Sequence, residues 1–529
     1  MHWDFPYPSQ RMPLLARNVV ATSQPLAAQA GIEMLKKGGN AVDAALATAI
    51  TLTVVEPNMN GIGADAFAII WDGKTLHGLN ASGRAPKAWN LQRFAGRDAM
   101  PTTGWDCVTV PGAVSAWIAL SQRFGKLPFM DLFVPAILYA DKGFAVSPIT
   151  AKNWATQAEK YRQSPDFASA FLPNGRAPQP GEMFRFPEQA YSLSMIGASK
   201  GEAFYRGELA KKIVAHSQTQ GGAMTLDDLA AHQVDWDATI SQDYRGVTLH
   251  EIPPNGQGIA ALMALGILEK FDLAGMAVDG ADVQHLQIEA MKLAFADVYK
   301  FVAERKAMEV TTEQMLDDSY LASRARLIDM KKAQDFQAGN PVKGGTIYLT
   351  AADENGMMVS FIQSNYMGFG SGCVEPTFGI SLQNRGHGFS LEPGPNQVAP
   401  GKRPFQTIIP AFLTKGGQPV MSFGVMGGNM QPQGHMQTLV RMIDYHQSPQ
   451  TACDAPRWRF NQGLELNVEQ AMDKATVQDL TARGHRLEVI RDSYQDFGAG
   501  QFIWRAGNPK VEGYVAASDA RRDGLAAGF

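Results

Sequence analysis

The residues with the most specific chemistry are a glycine pair ahead of a threonine, Gly344-Gly345-Thr346. They close the polar stretch KKAQDFQAGNPVKGG and open an apolar alternating run. A threonine at such a boundary is ordinarily a hydrogen-bonding turn residue. If the Gly345–Thr346 peptide bond is cut, Thr346 becomes an N-terminal residue. Its hydroxyl is then a nucleophile and its own α-amine the general base. An α-amine titrates near about 7.7–8.0, which leaves a useful neutral fraction near pH 7. The glycines permit the strained backbone of an N-to-O acyl shift, and the β-branch of threonine holds the hydroxyl in one direction. A second glycine pair, Gly427-Gly428, sits where a strand pattern turns into a helix pattern. The plain reading is a glycine-rich turn. The chemical reading is an oxyanion hole, in which amides at a helix N-terminus meet a developing alkoxide.

Other motifs are weaker. GxSxG occurs at Gly197-Ala-Ser199-Lys-Gly201, but the residues before it read as the end of a helix, not the strand that a nucleophile elbow needs. Gly61-Ile-Gly63-Ala-Asp-Ala66 is a partial dinucleotide fingerprint without a preceding strand, hence a close-packed turn. Zinc-protease, Walker A and zinc-deaminase patterns are absent, and the ten histidines do not cluster at ligand spacing, so neither metal nor cofactor is expected.

These residues need elements to position them. Pro25 to Lys37 predicts an amphipathic helix stopped by Gly38-Gly39, and Asn40 caps a second helix to about Val55. Ala66–Trp71 and Thr75–Leu79 predict strands around an Asp72-Gly73 turn. Leu127 to Leu327 reads as mostly helical, with a capping box at Thr225 and a long helix from Val283 to Val302. After about Met330 a polar, glycine-rich stretch predicts an exposed linker. Two hairpins follow, Thr346–Ala352 with Met357–Gln363 and Ile409–Thr414 with Val420–Val425, then a helix from about Gln431 to His446.

The chain has 47 basic and 51 acidic residues among 529, a near-neutral balance that argues against nucleic acid as its partner. Its most apolar stretch, Ala41 to Val55, is too short to span a bilayer and contains Asp43. The opening residues are interrupted by prolines and hold no apolar core, so no secretory signal is read there. Cys107, Cys373 and Cys453 are widely spaced and odd in number, which points to a reducing compartment and a cytoplasmic protein.

With Thr346 and its glycines as the centre, the whole chain resembles the γ-glutamyltranspeptidase family of N-terminal-nucleophile hydrolases. The resemblance is carried by GNAVDAALA from Gly39, VEPNMNGIGADAF from Val55, SGRAP from Ser82 and VTVPGAVSAW from Val108. It continues through EIPPNGQGIAAL from Glu251, GGTIYLTAADENGMMVSFIQSN from Gly344, GFGSG from Gly368, PGKRPFQTIIP from Pro400 and MGGNMQPQGH from Met426. It implies an α+β, four-layer αββα fold with two stacked antiparallel sheets between helical layers. It also implies a precursor that cuts itself at Gly345–Thr346 into a large subunit, 1–345, and a small catalytic subunit, 346–529, together one domain. By the same resemblance Thr346 is the nucleophile, Gly427 and Gly428 are the oxyanion hole, Arg84 holds a substrate carboxylate and Asn365 binds substrate. A homo-oligomer of processed heterodimers is compatible with it.

Departures from the family pattern narrow the expected substrate. The transpeptidases bind a glutamyl ammonium with an aspartate where this chain has Gly388, and Arg385 stands nearby in the run Gln383-Asn384-Arg385-Gly386-His387-Gly388. The serine pair after KRP is Gln406-Thr407, the threonine expected two residues before Asn365 is Gln363, and Thr346 is followed by Ile347-Tyr348. Replacing an acid by a nearby arginine disfavours an ammonium, by about 4 kcal/mol for unit charges 4 Å apart at an effective dielectric near 20. Arg84 and Arg385 favour a small carboxylate, which guanidinium grips with paired hydrogen bonds. The pattern resembles the divergent hydrolase branch. The expectation is a threonine amidohydrolase of a small carboxylate-bearing amide, oxamate favoured, with Arg84, Asn365, Arg385 and Gln406 around the substrate. The alternatives are a γ-glutamyl or glutaryl amide hydrolase (glutathione hydrolase or cephalosporin-acylase-like), a serine hydrolase using Ser199, and a catalytically dead binding protein of the same fold.

Overall fold

The structure is a computed structural model that describes residues 10–336 and 345–529. Gly344 and most of the expected linker lie outside the described residues. Two seven-stranded sheets form the centre. In the first, Gly345–Ala352 pairs with Val19–Thr22 on one side and Met358–Tyr366 on the other. The sheet continues outward through Asp65–Trp71, Leu76–Asn80 and Asp235–Asp237 on one flank, and ends in Leu525–Gly528 on the other. The second sheet runs Leu14–Ala16, Tyr514–Ser518, Ala499–Arg505, Gln418–Met426, Ala411–Lys415, Val247–Glu251, Ile240–Tyr244. Every neighbouring pair in both sheets is antiparallel.

The sheets stack face to face. Thr350 Oγ1 meets Ser422 Oγ at 2.6 Å, and the Ser360 hydroxyl donates to Phe423 O at 3.2 Å. Helices Pro25–Lys36 and Ala41–Val55 cover the outer face of the first sheet, while Ile259–Leu268 and Met430–Ile443 cover that of the second, with Ala281–Phe301 packed behind. This is the expected αββα order. Ala41–Val55 is buried along its whole length, as a helix without a polar face must be, and Asn40 and Asp43 close its N-terminus as a capping box. Pro25 at the first turn and Gly38 at φ 88° bracket the preceding helix. Among the described residues no helix is long and apolar enough to cross a membrane.

One expectation needs correction and one an addition. Leu127 to Leu327 is mostly helical, but it also holds a hairpin, Ile240–Tyr244 with Val247–Glu251, at the edge of the second sheet. Its turn is Arg245-Gly246, both at positive φ (49° and 82°), a two-residue turn without the usual Asn-Gly or Asp-Gly signature. The strand expected to end at Gln363 runs on to Tyr366, which carries Ser364 and Asn365 into the sheet.

Candidate active site

Thr346 is fully buried in the first residues of its strand. Gly345 pairs with Tyr366 and Ile347 with Gln363, and the register shifts between them, so Thr346 alone stands against Ser364 and Asn365. Such a bulge re-aims a side chain out of the regular pleat. The Thr346 and Ser364 hydroxyls are 3.2 Å apart. Tyr366 holds φ at 79°, a costly value for an aromatic residue and of the kind found where a site imposes the backbone.

Gly427 (φ 126°) and Gly428 (φ 61°) form the turn between strand Gln418–Met426 and helix Met430–Ile443. A Cβ on Gly427 would lie 3.0 Å from Gly498 Cα, so this close approach also requires glycine. Gln257 pins the turn by donating from Nε2 to Gly428 O at 3.0 Å and to Thr407 O at 2.7 Å. The stacked sheets bring Thr346 towards it. Thr350 meets Ser422, and the Tyr348 ring fills the space over Gly424, where a Cβ would lie 2.5 Å from the ring. Extended by one more two-residue step, this register would set Thr346 against Met426, the residue before Gly427 and Gly428.

Around this point, buried polar groups lack partners among the described residues. Asn365 has neither Oδ1 nor Nδ2 satisfied, Gln406 lacks a partner for Oε1, and Arg385 lacks one for Nε and Nη2. Unpaired buried polar atoms are expensive, and their clustering marks a place prepared for a ligand. Arg385 donates from Nη1 to Thr407 Oγ1 at 3.0 Å, and its guanidinium lies 4.7 Å over the Tyr366 ring, the residue paired with Gly345. Burial holds its pKa down to about 10.

Arg84 is placed differently. It pairs with Glu304, donates to Gly401 O at 3.1 Å, and its side chain is 40% exposed. It opens on a cavity of about 460 Å³ lined also by Asn80, Asn255, Glu304, Arg305 and Arg403.

The departures from the transpeptidase pattern have structural explanations. A Cβ on Gly388 would lie 2.5 Å from Phe405 O, so this backbone leaves no room for an ammonium-binding aspartate. Gln363 accepts from Trp117 Nε1 at 2.9 Å and donates to Asn60 at 2.7 Å, a wholly internal role. Tyr348 is bonded to Ser360 at 2.6 Å between the sheets. His387 Nδ1 meets Met100 O at 2.7 Å.

Sequence reasoning missed Ser364 and Asp65. Asp65 is fully buried at the start of its strand, directly opposite Ser364, and burial pushes its pKa up to about 6 against the pull of Arg385 and three hydrogen bonds. The available signal was an acid at the head of the apolar run AFAIIW, read instead as part of a glycine turn. That turn is close-packed as expected, since a Cβ on Gly63 would lie 2.3 Å from Ser381 O. Ser199 closes helix Pro187–Ser199 and donates to Met195 O at 2.7 Å, as a helix-end serine does.

Away from the site, His285, Glu289 and His485 are close enough together to hold a metal ion. Their hydrogen bonds argue against one. Lys292 donates to Glu289 Oε1 (2.7 Å), Gln334 O (3.1 Å) and His485 Nδ1 (3.4 Å). His485 Nε2 then donates to His285 Nδ1 (2.8 Å), and His285 Nε2 to Asp329 O (2.9 Å). With neutral imidazoles this directed chain uses both ring lone pairs.

The comparisons with known proteins agree with this architecture. Residues 27–529 match the Gamma-glutamyltranspeptidase family. The chain is 37% identical to the glutathione hydrolase-like YwrD proenzyme of Bacillus subtilis, over 97% of this chain and 98% of that one. It is 34% identical to the oxamate amidohydrolase proenzyme of Klebsiella pneumoniae, over 95% and 97%. A crystal structure of cephalosporin acylase from Bacillus halodurans superposes with a TM-score of 0.95 at 47% identity, covering 100% of this chain and 99% of that one. With two stacked sheets, a buried threonine at a strand head and these full-length relatives, the chain belongs to the γ-glutamyltranspeptidase family of N-terminal-nucleophile hydrolases, enzymes that cut C–N bonds.

Proposed function

We propose that this protein is a cytoplasmic, self-processing threonine amidohydrolase acting on small amides whose acyl part carries a carboxylate. The reading is supported by the stacking of the Thr346 strand on the strand that leads into the Gly427-Gly428 turn, together with the unpaired polar atoms of Asn365, Arg385 and Gln406. In maturation the Thr346 hydroxyl attacks the Gly345 carbonyl, the acyl group passes from nitrogen to oxygen, and water cleaves the ester. The shift frees the α-amine, and hydrolysis of the ester frees the hydroxyl and separates residues 1–345 from 346–529. In turnover that amine takes the hydroxyl proton as Thr346 attacks the substrate carbonyl. The amides of Gly427 and Gly428 receive the oxyanion. The α-ammonium passes the proton to the leaving amine, and the regenerated Thr346 α-amine then deprotonates the water that releases the acid.

Arg385 is the principal carboxylate anchor. It is buried, keeps two donors open and lies over the residue paired with Gly345, whereas Arg84 is engaged by Glu304. The proposal sets this anchor beside Thr346, which suits oxamate, whose carboxylate is one bond from the scissile carbonyl, to give oxalate and ammonia. A glutaryl or γ-glutamyl amide is the second reading. It is favoured by the 47% identity to a cephalosporin acylase and by the cavity at Arg84, which would suit a longer acyl chain.

The test is release of ammonia or aniline from a panel of oxamate, acetamide, a glutaryl anilide and a γ-glutamyl anilide. The proposal expects carboxylate-bearing amides to outrun acetamide, oxamate first. A glutaryl anilide hydrolysed far faster than oxamate selects the second reading. A protein that processes none of them is a binding protein on this fold.

A further inference from the structure

We propose that Asp65 is a specificity-determining residue of the acyl pocket: it is the resident counter-anion of Arg385, and it takes up a proton when a carboxylate pairs with that guanidinium. The proposal rests on the reading of Arg385 as the carboxylate anchor.

The geometry supplies the argument. Asp65 faces Ser364 in register, one contact from the Thr346 hydroxyl. Its carboxylate is fixed on both oxygens. Oδ1 accepts from the amides of Gly83 at 3.2 Å and Gly112 at 3.1 Å, and Oδ2 from Gln406 Nε2 at 2.8 Å. Arg385 acts on it through its field and not through a hydrogen bond, so the cation keeps Nε and Nη2 open for another acceptor.

The other titratable groups nearby do not change the balance. Tyr205, whose hydroxyl donates to Pro111 O, is kept protonated by burial, as is Tyr366 beneath Arg385. His232, stacked on Tyr205 and bonded to Ser115, is kept neutral by burial. Arg403, which donates to Ser82 O, is paired with Asp235. Apart from the Thr346 α-amine, these groups leave one cation, Arg385, against one anion, Asp65. A ligand carboxylate makes two anions against one cation in a water-poor space, and the less costly outcome is protonation of Asp65.

Two features make that step easy. Burial has already pushed the Asp65 pKa up to about 6, so at neutral pH roughly one carboxyl in ten already carries the proton. Gln406 Oε1 has no partner, so an amide turned end for end accepts the new O–H. Acids then bind more weakly as pH rises above about 6, by up to about tenfold per pH unit. Neutral amides escape that dependence.

The experiment is titration calorimetry of the processed wild-type enzyme with oxalate and with glutarate at pH 6.5, in buffers of different ionisation heat. An ordinary α-amine is already protonated at this pH, and wild type and Asp65→Asn share it, so the difference between their proton counts belongs to Asp65. The expected result is uptake of roughly half a proton or more per ligand. Asp65→Asn should show none, and at pH 8 should bind the acid roughly tenfold or more tighter than wild type. Asparagine keeps the acceptor for Gly83 and Gly112 and offers N–H to the turned Gln406. If that variant does not fold, the wild-type proton count decides alone. Binding without proton uptake overturns the role of Asp65 and leaves the reading of Arg385 standing. Failure of both acids to bind at millimolar concentration overturns both.

Discussion

The Thr346 hydroxyl lies 3.2 Å from the Ser364 hydroxyl across a bulge in the two central strands of the first sheet. The serine sets the direction of the candidate nucleophile before any cut is made. Thr346→Ala is expected to remain one chain and to be inactive. Ser364→Ala should still mature, but up to about tenfold more slowly, the loss of one orienting hydrogen bond worth about 0.5–1.5 kcal/mol. Denaturing gels over time, with N-terminal sequencing of the smaller fragment, measure both. A fully active, uncut Thr346→Ala protein would overturn the mechanism.

Arg385 and Arg84 should separate in their effects. Arg385→Met removes a buried guanidinium with open donors and should lower kcat/KM for carboxylate-bearing amides by about 2–5 kcal/mol of transition-state binding. Arg84→Ala breaks a half-exposed pair with Glu304 and should cost oxamate hydrolysis much less. Steady-state kinetics on oxamate decide the order, and an equal or larger loss at Arg84 returns the anchor to that residue.

Restoring the transpeptidase acid should fail for steric reasons. At Gly388 an added Cβ meets Phe405 O at 2.5 Å, and the Gly388 carbonyl already accepts from Asn396 at 2.6 Å. Gly388→Asp is expected to destabilise the fold by about 1–3 kcal/mol. It should lower Tm without raising γ-glutamyl anilide hydrolysis, and a gain in that activity at unchanged Tm contradicts the account.

Glu56 gives the fold a pH signature. Burial raises its pKa from 4.5 to about 7, although the Ser23 hydroxyl donates to it at 2.5 Å. Between pH 4.5 and 7 the folded chain keeps a proton that the unfolded chain has lost, so the Glu56 contribution falls as pH rises through that window. Glu56→Gln should remove up to about 3 kcal/mol of that dependence. Tm of the variant minus that of wild type should grow from pH 5 to pH 8. A constant difference over that range would show that Glu56 ionises normally.

Two negative results are also expected. Ser199→Ala should leave activity within twofold of wild type, because Ser199 Oγ is occupied by the Met195 carbonyl and the Ala203 amide (about 0.5–1.5 kcal/mol of local stability at most). Chelators should leave both activity and Tm unchanged, since the lone pairs of His285 and His485 are already used. Stoichiometric zinc in the purified protein would contradict the hydrogen-bond assignment.

The helices and hairpins that frame the site were legible because local chemistry specifies them: Pro25, the Asn40 capping box, Asp72-Gly73, and Asp353 to Gly356 between two strands. The strand head at Thr346 and the strand-to-helix turn at Gly427-Gly428 were legible for the same reason. What escaped was non-local. Asp65 becomes part of a site only when its strand pairs with Met358–Tyr366 and the loops bearing Gly83, Gly112 and Gln406 close on it. The engagement of Arg84 depends on Glu304, 220 residues away, which no local pattern ties to it.

The interleaved sheets have a consequence for assembly. In the first sheet Gly345–Ala352 lies between Val19–Thr22 and Met358–Tyr366, and Leu525–Gly528 closes on Val19–Thr22. In the second, Leu14–Ala16 and Val247–Glu251 flank strands from beyond residue 410. A cut at the proposed Gly345–Thr346 bond would leave neither fragment with a complete sheet, and each alone would expose unpaired strand edges and half of a stacked core. On that proposal the two pieces are born as one polypeptide for a topological reason as well as a chemical one. Synthesised separately they should aggregate, and the nick must come last, after the strands have been threaded together.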